Sequence, residues 1–129
     1  MELNKKGLAR VGAMAAVLVA SPSFAHHSFA MFDAQKTMTL DGTIKEFQWT
    51  NPHCWVQILV KSPSGDLIEW SLEGTSPNRF ARSGWTRNSL KPGDKATVTF
   101  HPLKDGTAGG SMMTVSVNGK VIGDSPPPQ

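Results

Sequence analysis

Residues 37–49, TMTLDGTIKEFQW, decide how this chain folds. Apolar and small residues alternate through Met38, Leu40, Gly42 and Ile44, the period of a strand with one buried face. The phase then slips, and Phe47 and Trp49 carry the apolar set on the other parity. A bulge near Lys45–Glu46, or a bend at Gly42, absorbs such a slip without ending the strand. A first strand this long and bent suits a small barrel, because it contributes to both halves of the wall.

Outward from that stretch the punctuation is regular. TNP (50–52) turns the chain, HCWVQILV (53–60) reads as a second strand, KSPSGD (61–66) as a turn and LIEWSLE (67–73) as a third strand. Ser76-Pro77 has the form of a helix start, a hydroxyl at the N-cap and proline at the first helical position. The predicted helix, PNRFARS (77–83), is short, and Gly84 stops it. LKPGD turns into a fourth strand, KATVTFH (95–101); PLKDGTAGG is a loop, and SMMTVSV (111–117) is a fifth strand. NGK turns into a brief last strand, and GDSPPPQ (123–129) has the composition of a disordered tail. The order β-β-β-α-β-β predicts a mainly β fold, an OB-like five-stranded Greek-key barrel over residues 37–122, with one short helix between strands three and four. A β-sandwich, the competing architecture, needs about seven strands.

The start of the chain reads as an export signal. Lys5, Lys6 and Arg10 precede the apolar run VGAMAAVLVA, which is too short to span a bilayer, and Ser23 and Ala25 are small at the positions a signal peptidase reads. Cleavage after Ala25 is expected, since a cut after Ala20 would place bulky Leu18 at the upstream recognition position. Removing 25 of 129 residues leaves 104, enough for one domain, preceded by an arm at 26–36. The expected location is the periplasm, with no integral membrane segment after processing. Losing Lys5, Lys6, Arg10 and Glu2 takes the formal charge from +3 to +1. A nearly neutral domain gives no reason to expect nucleic acid or an anionic membrane as partner. Cys54 is the one cysteine, so no internal disulfide forms; it reads as a small buried strand residue, with a disulfide-linked dimer as the lesser option.

The histidines carry the candidate chemistry. Cleavage after Ala25 makes His26 the first residue, with a free α-amine beside its imidazole, and His27 follows it. Amine and ring nitrogen can chelate one metal, and a further imidazole completes a nitrogen set that suits Cu(II); zinc, which favours four tetrahedral ligands, is the second choice. His53 and His101 are the expected partners, because each sits beside proline where a strand meets a loop at one mouth of the barrel. Asp33 offers an oxygen. The bland alternative is that these histidines are ordinary polar residues beside turns. Trp49 and Trp85, beside turns, with Asn51 and Arg87 near them, are the candidate wall of a ligand-binding cleft; Trp55 and Trp70, mid-strand, read as core. Arg79, Arg82 and Arg87 suit an anion contact or a solvated helix face.

No nucleophile elbow, phosphate loop or HExxH helix is present. Glu69 and Glu73 do not make a recognisable carboxylate pair, and adjacent His53 and Cys54 point to opposite strand faces. One of Met112 and Met113 is expected in the core. The reading is therefore an exported binding protein holding copper, or alternatively a metal-free envelope module for a small molecule or protein partner.

HHSFAMFD, GTIKEFQWTNPHCW, SPNRFARSGWTRNSLKPGD and HPLKDG together resemble the exported bacterial family known as domain of unknown function 6152. The resemblance covers nearly the whole processed chain. It implies a small secreted β domain with histidines at the positions of His26, His27, His53 and His101, and it implies no activity. Cys54 departs from what the resemblance leads one to expect after NPH, so it takes no family role.

Overall fold

The computed structural model describes residues 29–124. The expected signal peptide, His26, His27 and the last five residues lie outside the described residues. After a single 3₁₀ turn at Phe29–Met31, the elements are β1 (Met38–Gln48), β2 (Trp55–Lys61), β3 (Leu67–Glu73), α1 (Pro77–Arg82), β4 (Lys95–Pro102), β5 (Gly109–Val117) and β6 (Lys120–Asp124).

β1 is shared between two partners. Met38 to Thr43 pair antiparallel with Phe100 to Lys95 of β4, and Thr43 to Gln48 pair with Leu59 to Trp55 of β2. The register slips between Ile44 and Glu46, so Lys45 is the bulge residue. The bulge corrects the parity: Ile44 pairs with Ile58 and Phe47 with Val56, and these alternate residues of β2 are its buried ones. The change of partner falls at Gly42–Thr43. A Cβ on Gly42 would lie 2.4 Å from the Leu59 carbonyl oxygen, so only glycine lets the strands cross this closely.

β2 and β3 form a hairpin, β4 pairs antiparallel with β5, and a short parallel seam, Ser71–Glu73 against Gly109–Ser111, joins β3 to β5. That seam closes a mixed five-stranded barrel in the circular order β1-β2-β3-β5-β4, the OB-like arrangement expected from the element order. β6 adds to the outer edge of β5 and runs two residues into the stretch expected as tail.

Alternation along the strands fills the barrel. Ala96, Val98, Phe100 and Pro102 of β4 are buried in turn, and meet Val56, Ile58, Leu72, Met112 and Val115 from the other walls. Trp70 packs edge-on against Phe100 at 5.5 Å, as its mid-strand position predicts. Of the two methionines, Met112 is in the core.

Helix α1 follows from its ends. The Ser76 side chain accepts from the Arg79 amide at the N-terminus, with Pro77 at the first position. At the C-terminus, Gly84 takes φ 84°. The Gly84 amide donates to the Ala81 carbonyl at 3.1 Å and the Trp85 amide to the Phe80 carbonyl at 2.9 Å. This is a Schellman stop, which brings the residue after the glycine onto the last turn of the helix. Trp85 accordingly lands on Phe80, ring centroids 4.6 Å apart, and both are fully buried beside Phe47. Burying each such ring contributes on the order of 2–3 kcal/mol. Among the described residues no helix is long and apolar enough to cross a membrane.

Candidate functional site on the outer face of the barrel

Strand parity puts a second set of residues outside the barrel. Val56, Leu72 and Phe100 point inward, so their neighbours Trp55, Glu73 and His101 point outward. The pairing places them in one row across the sheet: Trp55 opposite Glu73, Glu73 opposite Ser111, Ser111 opposite His101. An outward carboxylate at a strand end should be solvated, yet Glu73 is 1% exposed.

Two features hide it. His53, just ahead of β2, sets its Nδ1 against Oε1 of Glu73. The loop after β4 and the arm also cover this face: Phe32 forms a bridge with Leu103, the Asp33 amide donates to the Pro102 carbonyl at 2.8 Å, and the Lys104 amide to the Met31 carbonyl at 2.9 Å. Beneath them lies a cavity of about 300 Å³, walled by Met31, Phe32, Trp55, Leu103 and Ala108, with Glu73 as its one ionisable lining group among the described residues. Oε2 of Glu73 is buried and has no hydrogen-bond partner among the described residues. Burying a carboxylate oxygen without a donor is costly, which makes this atom the most unusual feature of the face.

His101 lies two strands from Glu73 along the same row. Its Nδ1 is 2.7 Å from the carbonyl oxygen of Lys36. A carbonyl only accepts, so Nδ1 carries the hydrogen and, in the neutral ring, Nε2 carries the lone pair. His53 has the equivalent arrangement, with a carboxylate as acceptor. Along the pairing row His53 reaches Glu73 on β3, and His101 stands on β4, with Ser111 of β5 between them. Among the described residues, no three His, Cys, Asp or Glu side chains stand together as a metal-binding group. Asp33, the expected oxygen ligand, is engaged within the arm, accepting from the Gln35 amide at 3.2 Å and pairing with Lys36 at 3.5 Å.

Trp85 does not wall a cleft; the Schellman turn buries it. Trp49 is half-buried on the same aromatic cluster, 5.8 Å from Phe47 and 6.2 Å from Phe80. Asn51, at the cis Asn51–Pro52 bond, and Arg87, past the helix, are exposed, and neither lines the cavity. Trp55, expected in the core, instead lines the cavity from outside the barrel. Glu69 is tied to Lys45 at 2.6 Å and takes no part. Cys54 is a free thiol, fully buried; burial pushes its pKa up, against a smaller lowering by a backbone hydrogen bond at Thr50. A bridge to a second chain would require this wall to open.

Glu73, which makes no carboxylate pair with Glu69, is instead the buried partner of His53. Its signal was present in SLEG: a charge at the end of a strand, on the parity of Trp55, opposite a loop rich in glycine and alanine.

Comparison with curated proteins and with solved structures returned no match. One family model does match, described as a family of unknown function (DUF6152), over residues 14–113. That span runs through the arm, His53, the helix and β4 into β5, and so takes in the outward row and most of the cavity wall. With most of its length matched, and with the barrel and its covered face inside the match, the chain belongs to the DUF6152 family.

Proposed function

We propose that this protein is an exported, periplasmic β-barrel binding protein that holds a transition metal, copper ahead of zinc, through histidines that include His26. The observation that carries this reading is the fixed Nδ1 of both His53 and His101. Metal-ligating histidines characteristically give one ring nitrogen to a carboxylate or backbone carbonyl, which orients the other as ligand. The arm adds support. Met31 stands in the cavity wall that also contains Glu73, the partner of His53. Five residues separate His26 from Met31, so the proposal requires a cleaved His26 to lie within roughly 17 Å of this wall. His26 would supply its amine and ring nitrogen, and His53, with His27 or His101, the remaining imidazole nitrogen.

The test compares two purified forms: one beginning at His26, confirmed by mass, and one carrying a single extra residue before it. The first is expected to bind one Cu(II) with a nitrogen-rich electron paramagnetic resonance spectrum and at least tenfold more tightly than the second. Equal, weak binding by both would sink the proposal.

A metal-free reading is favoured by a different observation, the largely apolar cavity that Glu73 lines. On that reading the protein is an envelope binding module for a small molecule, and His53 serves to hold the carboxylate.

A further inference from the structure

We infer that the cavity between β3, β5 and the arm binds a small organic cation, a primary ammonium group on a compact apolar body. The cavity stands independently of the metal proposal, because among the described residues no histidine lines it. Three observations define the ligand. The first is polarity. Oε1 of Glu73 is held by His53, while Oε2 is buried with no donor. A carboxylate oxygen can only accept while ionised, so the missing partner is a donor, and a charged donor gives the stronger bond.

The second is charge. Among the described residues no lysine or arginine lines the cavity, so an anionic ligand would meet Glu73 with nothing there to offset the repulsion. The third is the wall. Met31, Phe32, Trp55 and Leu103 are apolar or aromatic, and Gly109 and Gly110 supply floor without side chains. A Cβ on Gly109 would come within 2.8 Å of the Leu103 side chain, so the glycine lets that apolar wall pack directly on the floor. A ring such as Trp55 adds attraction for a cation near its face. A cavity of about 300 Å³ is at the small end of ligand sites, which limits the body to a ring or a short chain.

The test uses the processed protein kept in chelator, with three isosteric probes: benzylammonium, benzyl alcohol and benzoate. Binding is read by calorimetry and by amide shifts in a nitrogen-15 correlation spectrum. Benzylammonium is expected to saturate, with shifts centred on Ser71, Glu73 and residues 107–110, about tenfold more tightly than benzyl alcohol, and benzoate not at all. Glu73→Gln keeps an acceptor for His53 and the shape of the site; it should bring ammonium and alcohol within about threefold of one another. Ser71→Leu fills the cavity from the strand and should abolish binding of both, which keeps the test decisive if the Glu73 variant does not fold. Wild-type protein that binds ammonium and alcohol equally, or binds no probe at millimolar concentration, overturns the inference; in the second case water alone satisfies Oε2. Copper affinity in Ser71→Leu should match wild type, which separates this outcome from the fate of the metal site.

Discussion

The imidazole of His53, ahead of β2, and the carboxylate of Glu73, at the end of β3, are in contact, and the carboxylate has no water-facing surface to speak of. His53 keeps 22% of its side-chain surface exposed, so the pair is open on one side only. Removing the histidine strands the buried charge. His53→Ala should cost about 2–3 kcal/mol at neutral pH, at the low end for a broken buried pair because one partner is part-exposed. Glu73→Ala and the double variant complete a cycle. Coupling of about 1 kcal/mol or more in urea titrations supports the pair, and additive effects refute it.

His101 should hold its hydrogen on Nδ1, because the Lys36 carbonyl beside that atom cannot donate. Two-bond nitrogen–proton correlation spectra of the ring read this directly above the pH at which the imidazole loses its charge. A ring protonated on Nε2 in the metal-free protein would mean that the arm does not dock along β4 as described.

Burial raises the pKa of Cys54. An acid whose folded pKa is raised stays protonated in the native state while the unfolded chain has already ionised. The unfolded state then binds fewer protons, so stability falls as pH rises above the ordinary thiol pKa. Stability should therefore decline more steeply between pH 8 and 10 in the wild type than in Cys54→Ala, as read by urea midpoints. Ellman's reagent should modify the native thiol only at the rate of unfolding.

Gly42→Ala forces a methyl against the Leu59 carbonyl where β1 changes partner. The strands must part there, at a cost of about 2 kcal/mol or more, lowering Tm by roughly 10 °C for a domain of this size. Lys45→Ala, in contrast, breaks a pair exposed at 50% and 42% and should change stability by less than about 1 kcal/mol.

Much of the barrel was legible in the chain, because alternation, turns and caps are local. The phase slip after Ile44 read as a bulge, and Ser76-Pro77 and Gly84 read as the two ends of a helix. Trp85 was misread although its signal was local too. A glycine stop that begins a Schellman turn also brings the next residue back onto the helix, so SGWTR implied contact between Trp85 and Phe80. Glu73 and Trp55 were harder. Their outward parity was readable, but what covers them is the arm and the loop at 103–110, which reach this face only after the barrel closes. Turn and strand signals place His53 and His101 beside strand ends, while their oxygen partners depend on the register of strands far apart in sequence.

The closing seam between β3 and β5 is only three residue pairs long, and it is the one parallel contact in the wall. Ser71 and Glu73 stand on one side of it, Gly109 and Gly110 on the other, and all four line the cavity. A molecule in that cavity is therefore a clasp across the hoop's shortest joint. Occupancy would be felt as slower amide exchange along both strands at once, so that loading the site and tightening the barrel are a single event.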